Sequence, residues 1–61
     1  MTERHWRILK RVAEGLTQKE IAREEGVSRA AIQKAVNYVG QKWDVRGSAA
    51  IVAKAIREGY I

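Results

Sequence analysis

The stretch TQKEIAREEGVSRAAI, from Thr17 to Ile32, decides the fold. It is rich in helix-forming residues, yet Gly26 interrupts it once before helix formers return. Thr17 and Glu20 have the spacing of a capping box, and Ser28 is a second candidate N-cap. Glycine readily adopts the positive φ with which many helices end. The stretch therefore predicts two helices joined by a turn of a few residues.

The residues around this turn favour a helix-turn-helix unit, in which two helices pack at a steep angle. Ala22 is small enough for the two helices to approach closely. Four apolar residues are predicted to fill the angle between them: Ile21, Val27, Ile32 and Ala35. An ordinary helical hairpin would explain Gly26 alone, but the combined spacing favours the helix-turn-helix.

Outside this stretch, apolar residues recur at helical spacing, and no segment alternates with the period of a strand. We predict an all-α, compact four-helix domain, with a single domain over residues 1–61. The predicted helices span about residues 2–14, 17–25, 28–43 and 48–58, with Thr2, Thr17 and Ser28 as N-caps.

The composition limits the functional classes. A net charge of +5 and a pI near 10.1 in 61 residues point to a polyanionic partner, nucleic acid first and an anionic membrane second. No apolar run reaches the roughly 18 residues of a membrane span. The chain has no Cys and one His, so we expect no metal site and no cofactor, and a reducing cytoplasm is consistent with this. No catalytic constellation or phosphate loop supports an enzyme.

The third predicted helix leaves a polar side opposite its apolar stripe. This side, the recognition face, consists of Ala30, Gln33, Lys34, Asn37 and Gln41. Gln and Asn amides can bind adenine N6 and N7, Lys can reach guanine O6 and N7, and a small Ala fits a thymine methyl. We predict base contacts in the major groove from Gln33, Lys34, Asn37 and Ala30.

Contacts to the DNA backbone are predicted beside this face. Thr17, Gln18 and Lys19 begin the second helix, where free N–H groups and the helix dipole attract a phosphate. Arg29 has the same position in the third helix.

Three blocks of the sequence resemble the LuxR and FixJ type DNA-binding domain, which also occurs alone in GerE-like regulators. They are ILKRVAEGLTQKEIA, GVSRAAIQKAV and KWDVRGSAAIVAKAIREGYI, and together they cover nearly the whole chain. The resemblance implies a standalone transcriptional regulator of a bacterium or phage. It also implies phosphate contacts from Lys42 and Arg46.

The chain departs from this family at several positions. His5 and Arg7 replace residues that are usually acidic, and Glu25 replaces a Leu just before the turn. An unpaired buried carboxylate is costly, so we expect Glu25 to tilt outward or to pair with Arg29. Ala31 and Ala35 replace the common Thr and His, which removes polar groups near the DNA backbone.

The fourth predicted helix has a wider apolar arc than one packing face requires. We expect its core side to consist of Ala49, Val52, Ala53, Ile56 and Tyr60. Ile51 and Ala55 would then form an exposed flank. The family resemblance implies a homodimer through this helix, and Ile51 and Ala55 are the predicted interface.

One alternative to duplex DNA binding stays open at this point. Trp6 and Trp43 are predicted to be core residues, which weighs against base stacking with single strands and against membrane binding. The segment LTQKEIAREEGVSRAAIQKA also resembles the helix-turn-helix of primary sigma factors. A protein-interaction module that contacts RNA polymerase or a separate regulatory protein is therefore the alternative to duplex DNA binding.

Overall fold

The computed structural model describes residues 1–61 and contains four helices and no strand. They are α1 (Glu3–Ala13), α2 (Gln18–Glu25), α3 (Arg29–Trp43) and α4 (Ser48–Arg57). The predicted all-α fold is confirmed, and each helix end lies within one residue of its predicted position. No helix has both the length and the apolar character needed to cross a membrane.

Side-chain caps begin the two central helices. The Thr17 hydroxyl accepts a hydrogen bond from the Glu20 N–H at 3.2 Å, and the Glu20 carboxylate accepts from the Thr17 N–H at 2.8 Å. This is the predicted capping box. Its hydrogen bonds lower the pKa of the Glu20 carboxyl. The Ser28 hydroxyl accepts from the Ala31 N–H at 3.1 Å and caps α3.

The turn between α2 and α3 depends on a left-handed glycine. Gly26 has φ 70° and ψ 33°, and the Val27 N–H donates to the Ala22 carbonyl at 3.0 Å. The Gly26 N–H also donates to the Ala22 and Arg23 carbonyls, so the last carbonyls of α2 are paired within the turn. A residue with a Cβ would be strained at this φ, so the glycine is what lets α2 and α3 be joined by only three residues.

The core lies where the four helices meet and contains ten buried apolar residues. Ile21 and Ile32 are fully buried in the angle between α2 and α3, and Val27 and Ala35 pack against them from the edge. The predicted helix-turn-helix packing is therefore confirmed. On α1 the buried pair is Ile8 and Leu9. The remaining core residues are Ala22, Val36, Val39, Ile51, Val52 and Ala55.

The prediction for the core side of α4 was right for Val52, which is buried, but wrong for Ala49, Ala53 and Ile56, which are exposed. Ile51 and Ala55 are 3% and 0% exposed, so neither can form a dimer interface, whereas Ile56 is 54% exposed. The reason lies in α3, where Gly40 has no side chain and Ile51 fills the space beside it. A Cβ built on Gly40 would lie 2.8 Å from Ile51 Cδ1.

Three aromatic rings stack where α1, the end of α3 and the chain end meet. The ring centroids of Trp6 and Tyr60 are 4.4 Å apart, and those of Trp6 and Trp43 are 5.9 Å apart. Both tryptophans are half-buried against the core, as predicted. Lys54 Nζ lies 5.2 Å from the centroid of the Trp43 ring, at cation–π distance.

Candidate nucleic-acid interface

The recognition face of α3 is open to solvent. Its five residues, Ala30, Gln33, Lys34, Asn37 and Gln41, are all exposed. The opposite side of the same helix holds the buried Ile32, Val36 and Val39. Because packing fixes that side against the core, the polar side chains of α3 are presented to solvent on a helix that cannot rotate freely.

A chain of amide hydrogen bonds orders the centre of this face. The Gln18 side chain at the start of α2 donates from Nε2 to Gln33 Oε1. Gln33 Nε2 in turn donates to Asn37 Oδ1 at 2.9 Å. Gln33 and Asn37 are one helical turn apart, whereas Gln18 comes from the neighbouring helix. We name these three residues the amide chain. It joins a predicted backbone contact to two predicted base contacts.

The N-termini of α2 and α3 lie on either side of the turn, each with its own cap. The capping box already uses the Thr17 N–H and hydroxyl, so the free N–H groups of α2 belong to Gln18 and Lys19. At α3 the free N–H groups belong to Arg29 and Ala30. These unpaired donors suit a phosphate oxygen.

The cations predicted to contact DNA are not paired within the protein. Lys19, Arg29, Lys34, Lys42 and Arg46 are exposed, and none forms a salt bridge. By contrast, Arg4, Arg7 and Arg11 of α1 all pair with glutamates. The acidic residues therefore neutralise much of the charge on α1, and unpaired positive charge remains along α2, α3 and the loop that follows.

The sequence model of the homeodomain-like domain, a helix-turn-helix family, matches residues 3–39, more than half of the chain. The chain belongs to the homeodomain-like family. No curated protein and no solved structure matches it. The match covers α1, α2 and most of α3, and it leaves the LuxR and FixJ type unconfirmed.

The homeodomain-like family consists of helix-turn-helix domains and points to DNA binding. Its model ends at residue 39, within α3, so α4 lies outside the matched segment. In this homeodomain-like domain α4 nevertheless supplies three of the ten core residues: Ile51, Val52 and Ala55.

An open groove of about 690 Å³ lies between the second half of α3 and the loop before α4. Its walls include the predicted contacts Lys34, Asn37 and Arg46, which the fold thus brings together. Two further wall residues, Tyr38 and Asp44, were not among the predicted contacts. Tyr38 is four residues from both Lys34 and Lys42, a spacing that the sequence already contained.

Tyr38 connects the groove to the start of α1. The residue is 40% exposed, Lys42 Nζ lies 5.4 Å from the centroid of its ring, and the centroid of the His5 ring lies 5.0 Å away. His5 Nδ1 accepts a hydrogen bond from the Thr2 N–H at 3.1 Å and so caps α1. Partial burial, together with the positive N-terminus and Arg4, lowers the pKa of His5.

The prediction that Glu25 tilts outward or pairs with Arg29 was wrong. Its carboxylate accepts two hydrogen bonds from the Arg7 guanidinium, at 3.0 and 2.9 Å, and Arg4 Nε lies 3.5 Å away. Arg29 stays unpaired. The hydrogen bonds from Arg7 are the main cause of the lowered pKa of the Glu25 carboxyl. This contact ties α1 to the end of α2 and leaves Arg29 free beside the turn.

Proposed function

We propose that this homeodomain-like domain is a transcriptional regulator that binds double-stranded DNA sequence-specifically, with α3 in the major groove. One observation carries the proposal: an ordered pair of amides, Gln33 and Asn37, lies exposed on a helix flanked by unpaired cations. The B-DNA major groove is about 12 Å wide and admits one α-helix. Gln33, Lys34, Asn37 and Ala30 are the proposed base contacts.

The proposed backbone contacts surround this centre. Free N–H groups at the starts of α2 and α3 suit phosphates on one side, with Lys19 and Arg29 beside them. Lys42 and Arg46 suit phosphates at the other end of α3, where the protein's open groove lies and Arg46 forms part of its wall. Thr17 is the weakest of the predicted backbone contacts, because the capping box uses both its N–H and its hydroxyl.

We infer that two copies of the chain bind two half-sites. A single α3 contacts few bases, and pairing two half-sites multiplies specificity. The outer side of α4 supplies an apolar surface for this contact in Ala49, Ala53 and Ile56, all exposed. An Ile56→Lys variant tests the inference, because it should leave the buried core intact while weakening binding to a two-half-site duplex. Unchanged binding would exclude this surface.

Selection from a pool of random duplexes, followed by sequencing of the bound fraction, tests the main proposal. We expect a defined motif, and the logarithm of the affinity should fall linearly with the logarithm of the salt concentration, with a slope of about −0.9 per phosphate contact. Binding without sequence enrichment would refute sequence-specific regulation. Contact with RNA polymerase or a separate regulatory protein, as in the sigma-factor resemblance, would then be the better explanation.

A further inference from the structure

The amide chain occupies the side-chain oxygen atoms of Gln33 and Asn37. Gln33 Oε1 accepts from Gln18, and Asn37 Oδ1 accepts from Gln33. Both oxygens therefore already have a hydrogen-bond partner inside the protein. One N–H of Gln33 and both side-chain N–H groups of Asn37 have none. Towards solvent, this amide pair offers mainly donors.

The charged side chains beside this amide pair have the same polarity, and among the other face residues only Gln41 carries an acceptor of its own. Lys34 is a donor without acceptor capacity, and so are the flanking cations Arg29 and Lys42. No Asp or Glu occurs anywhere in α3, from Arg29 to Trp43. The first carboxylate is Asp44, just beyond the end of the helix. A carboxylate is the usual acceptor for the N4 amino group of cytosine, so α3 has none to offer.

The donors of Gln33, Lys34 and Asn37 match one base edge best. In the major groove, guanine presents two acceptors, O6 and N7, whereas adenine presents the N7 acceptor and the N6 donor. Two-point binding of adenine by Gln or Asn needs a free oxygen beside the N–H. In this structure Gln33 Oε1 is directed at Gln18 and Asn37 Oδ1 at Gln33, so one lone pair of each oxygen is already used.

We propose that Gln18 is a specificity-determining residue that sets the recognition face to bind guanine rather than adenine. It acts as a positioning residue, because its hydrogen bond to Gln33 Oε1 fixes the orientation of the Gln33 amide and, through it, that of Asn37. The inference rests on the proposed function, since it concerns which base the DNA-binding face prefers. It reverses the adenine preference that the residue types alone suggest.

Base analogues at one position of the selected site test the proposal. That position is the one at which Asn37→Ala relaxes the base preference. We expect guanine there, and inosine in its place should keep the affinity, because inosine retains O6 and N7. 2,6-Diaminopurine paired with thymine has the major-groove edge of adenine and should weaken binding about 5- to 100-fold. A selected adenine, or equal binding of both analogues, would overturn the proposal.

Variants of Gln18 test its role directly. Gln18→Glu removes the donor, so Gln33 must turn its N–H groups towards residue 18 and Asn37 must turn its oxygen outward. The guanine-to-adenine affinity ratio should then fall about tenfold or more. Gln18→Met, which is similar in size but cannot donate, should bring the ratio towards one. Circular dichroism tests whether both variants are folded. We expect Gln18→Glu to fold, because a carboxylate is favourable at a helix N-terminus.

Lys19→Gln is the matched control. It removes a charge from the adjacent residue, so it should weaken binding to the guanine and adenine sites equally and leave their ratio unchanged. If both Gln18 variants keep the guanine-to-adenine affinity ratio of the parent protein, the positioning role of Gln18 is overturned. If the parent protein enriches no motif at all, the proposed function fails along with the inference. An enriched motif with adenine at the tested position refutes the inference alone.

Discussion

Replacing Gly40 by alanine sets two opposing effects against each other. Gly40 is buried in the last third of α3, where it faces the loop and α4. Alanine is the better helix former by about 1 kcal/mol, so propensity alone predicts stabilisation. The added Cβ, however, would lie 2.7 Å from the Val45 carbonyl oxygen and 2.8 Å from Ile51 Cδ1. Both distances are far shorter than an ordinary van der Waals contact.

The overlap should outweigh the gain in propensity. The Val45 oxygen belongs to the backbone of a loop that is held by a hydrogen bond from the Val45 N–H to the Gly40 carbonyl, at 2.9 Å. It therefore cannot move away as freely as the end of a side chain. Overpacking of this kind costs about 1–3 kcal/mol. Because one of the overlapping atoms is backbone, we expect the upper part of this range, about 2–3 kcal/mol, from which the propensity gain of about 1 kcal/mol is subtracted. Gly40→Ala should therefore lower the free energy of unfolding by about 1–2 kcal/mol, and Tm by about 4–8 °C for each kcal/mol.

Thermal and urea unfolding monitored by circular dichroism measure the effect. Ala53→Gly on the exposed side of α4 is the control that gives the propensity difference in this protein. Ile51→Val removes Cδ1, one of the two overlapping atoms, so it should cost less stability in the Gly40→Ala background than in the parent. A Gly40→Ala protein as stable as the parent or more so would refute the close packing of α3, the loop and α4.

Three further predictions concern DNA affinity and acid stability. Asn37→Ala should cost about 1–3 kcal/mol of binding free energy on the selected site without changing the salt slope. Lys42→Ala should weaken binding to specific and random duplex alike and reduce the slope by about one. Fluorescence anisotropy at several salt concentrations measures both effects. Because the pKa of the Glu25 carboxyl is lowered, its ion pair stabilises the fold above its ordinary value of 4.5, and this stability is lost as the pH falls through the lowered pKa. Glu25→Gln should flatten that loss in melts recorded at decreasing pH, and an equally steep loss in the variant would contradict the assignment. Because the pKa of His5 is lowered, the folded protein resists protonation and should lose stability as the pH drops below 6.5; His5→Gln keeps an acceptor for the Thr2 N–H and should remove this step from the same melts.

Features encoded by residues close together in the chain were predictable. The caps at Thr17 and Ser28 and the left-handed Gly26 each depend on residues within one helical turn, and each lies where the sequence placed it. The core side of α3 also followed from its periodicity, because Ile32, Val36 and Val39 recur on one face.

Features that depend on distant residues were not predictable from local patterns. The side of α4 that faces the core is decided by the space at Gly40, which lies 11 residues before Ile51 in the chain. The partner of Glu25 is Arg7, 18 residues away, and only the packing of α1 on α2 brings them together. The amide chain was missed for the same reason, since Gln18 and Gln33 are 15 residues apart.

The stacked pair of Trp6 and Trp43 gives the molecule a built-in optical probe. These are the only two tryptophans, their ring centroids are 5.9 Å apart, and the rings are inclined by 26°. Two indoles this close interact as coupled chromophores, and separating α1 from the end of α3 would abolish that coupling. The optical signal of the tryptophan pair will therefore report whether α1, the end of α3 and the last residues of the chain are packed together. Trp43 lies on the opposite side of α3 from Lys34, so a duplex seated on the recognition face would leave the pair untouched.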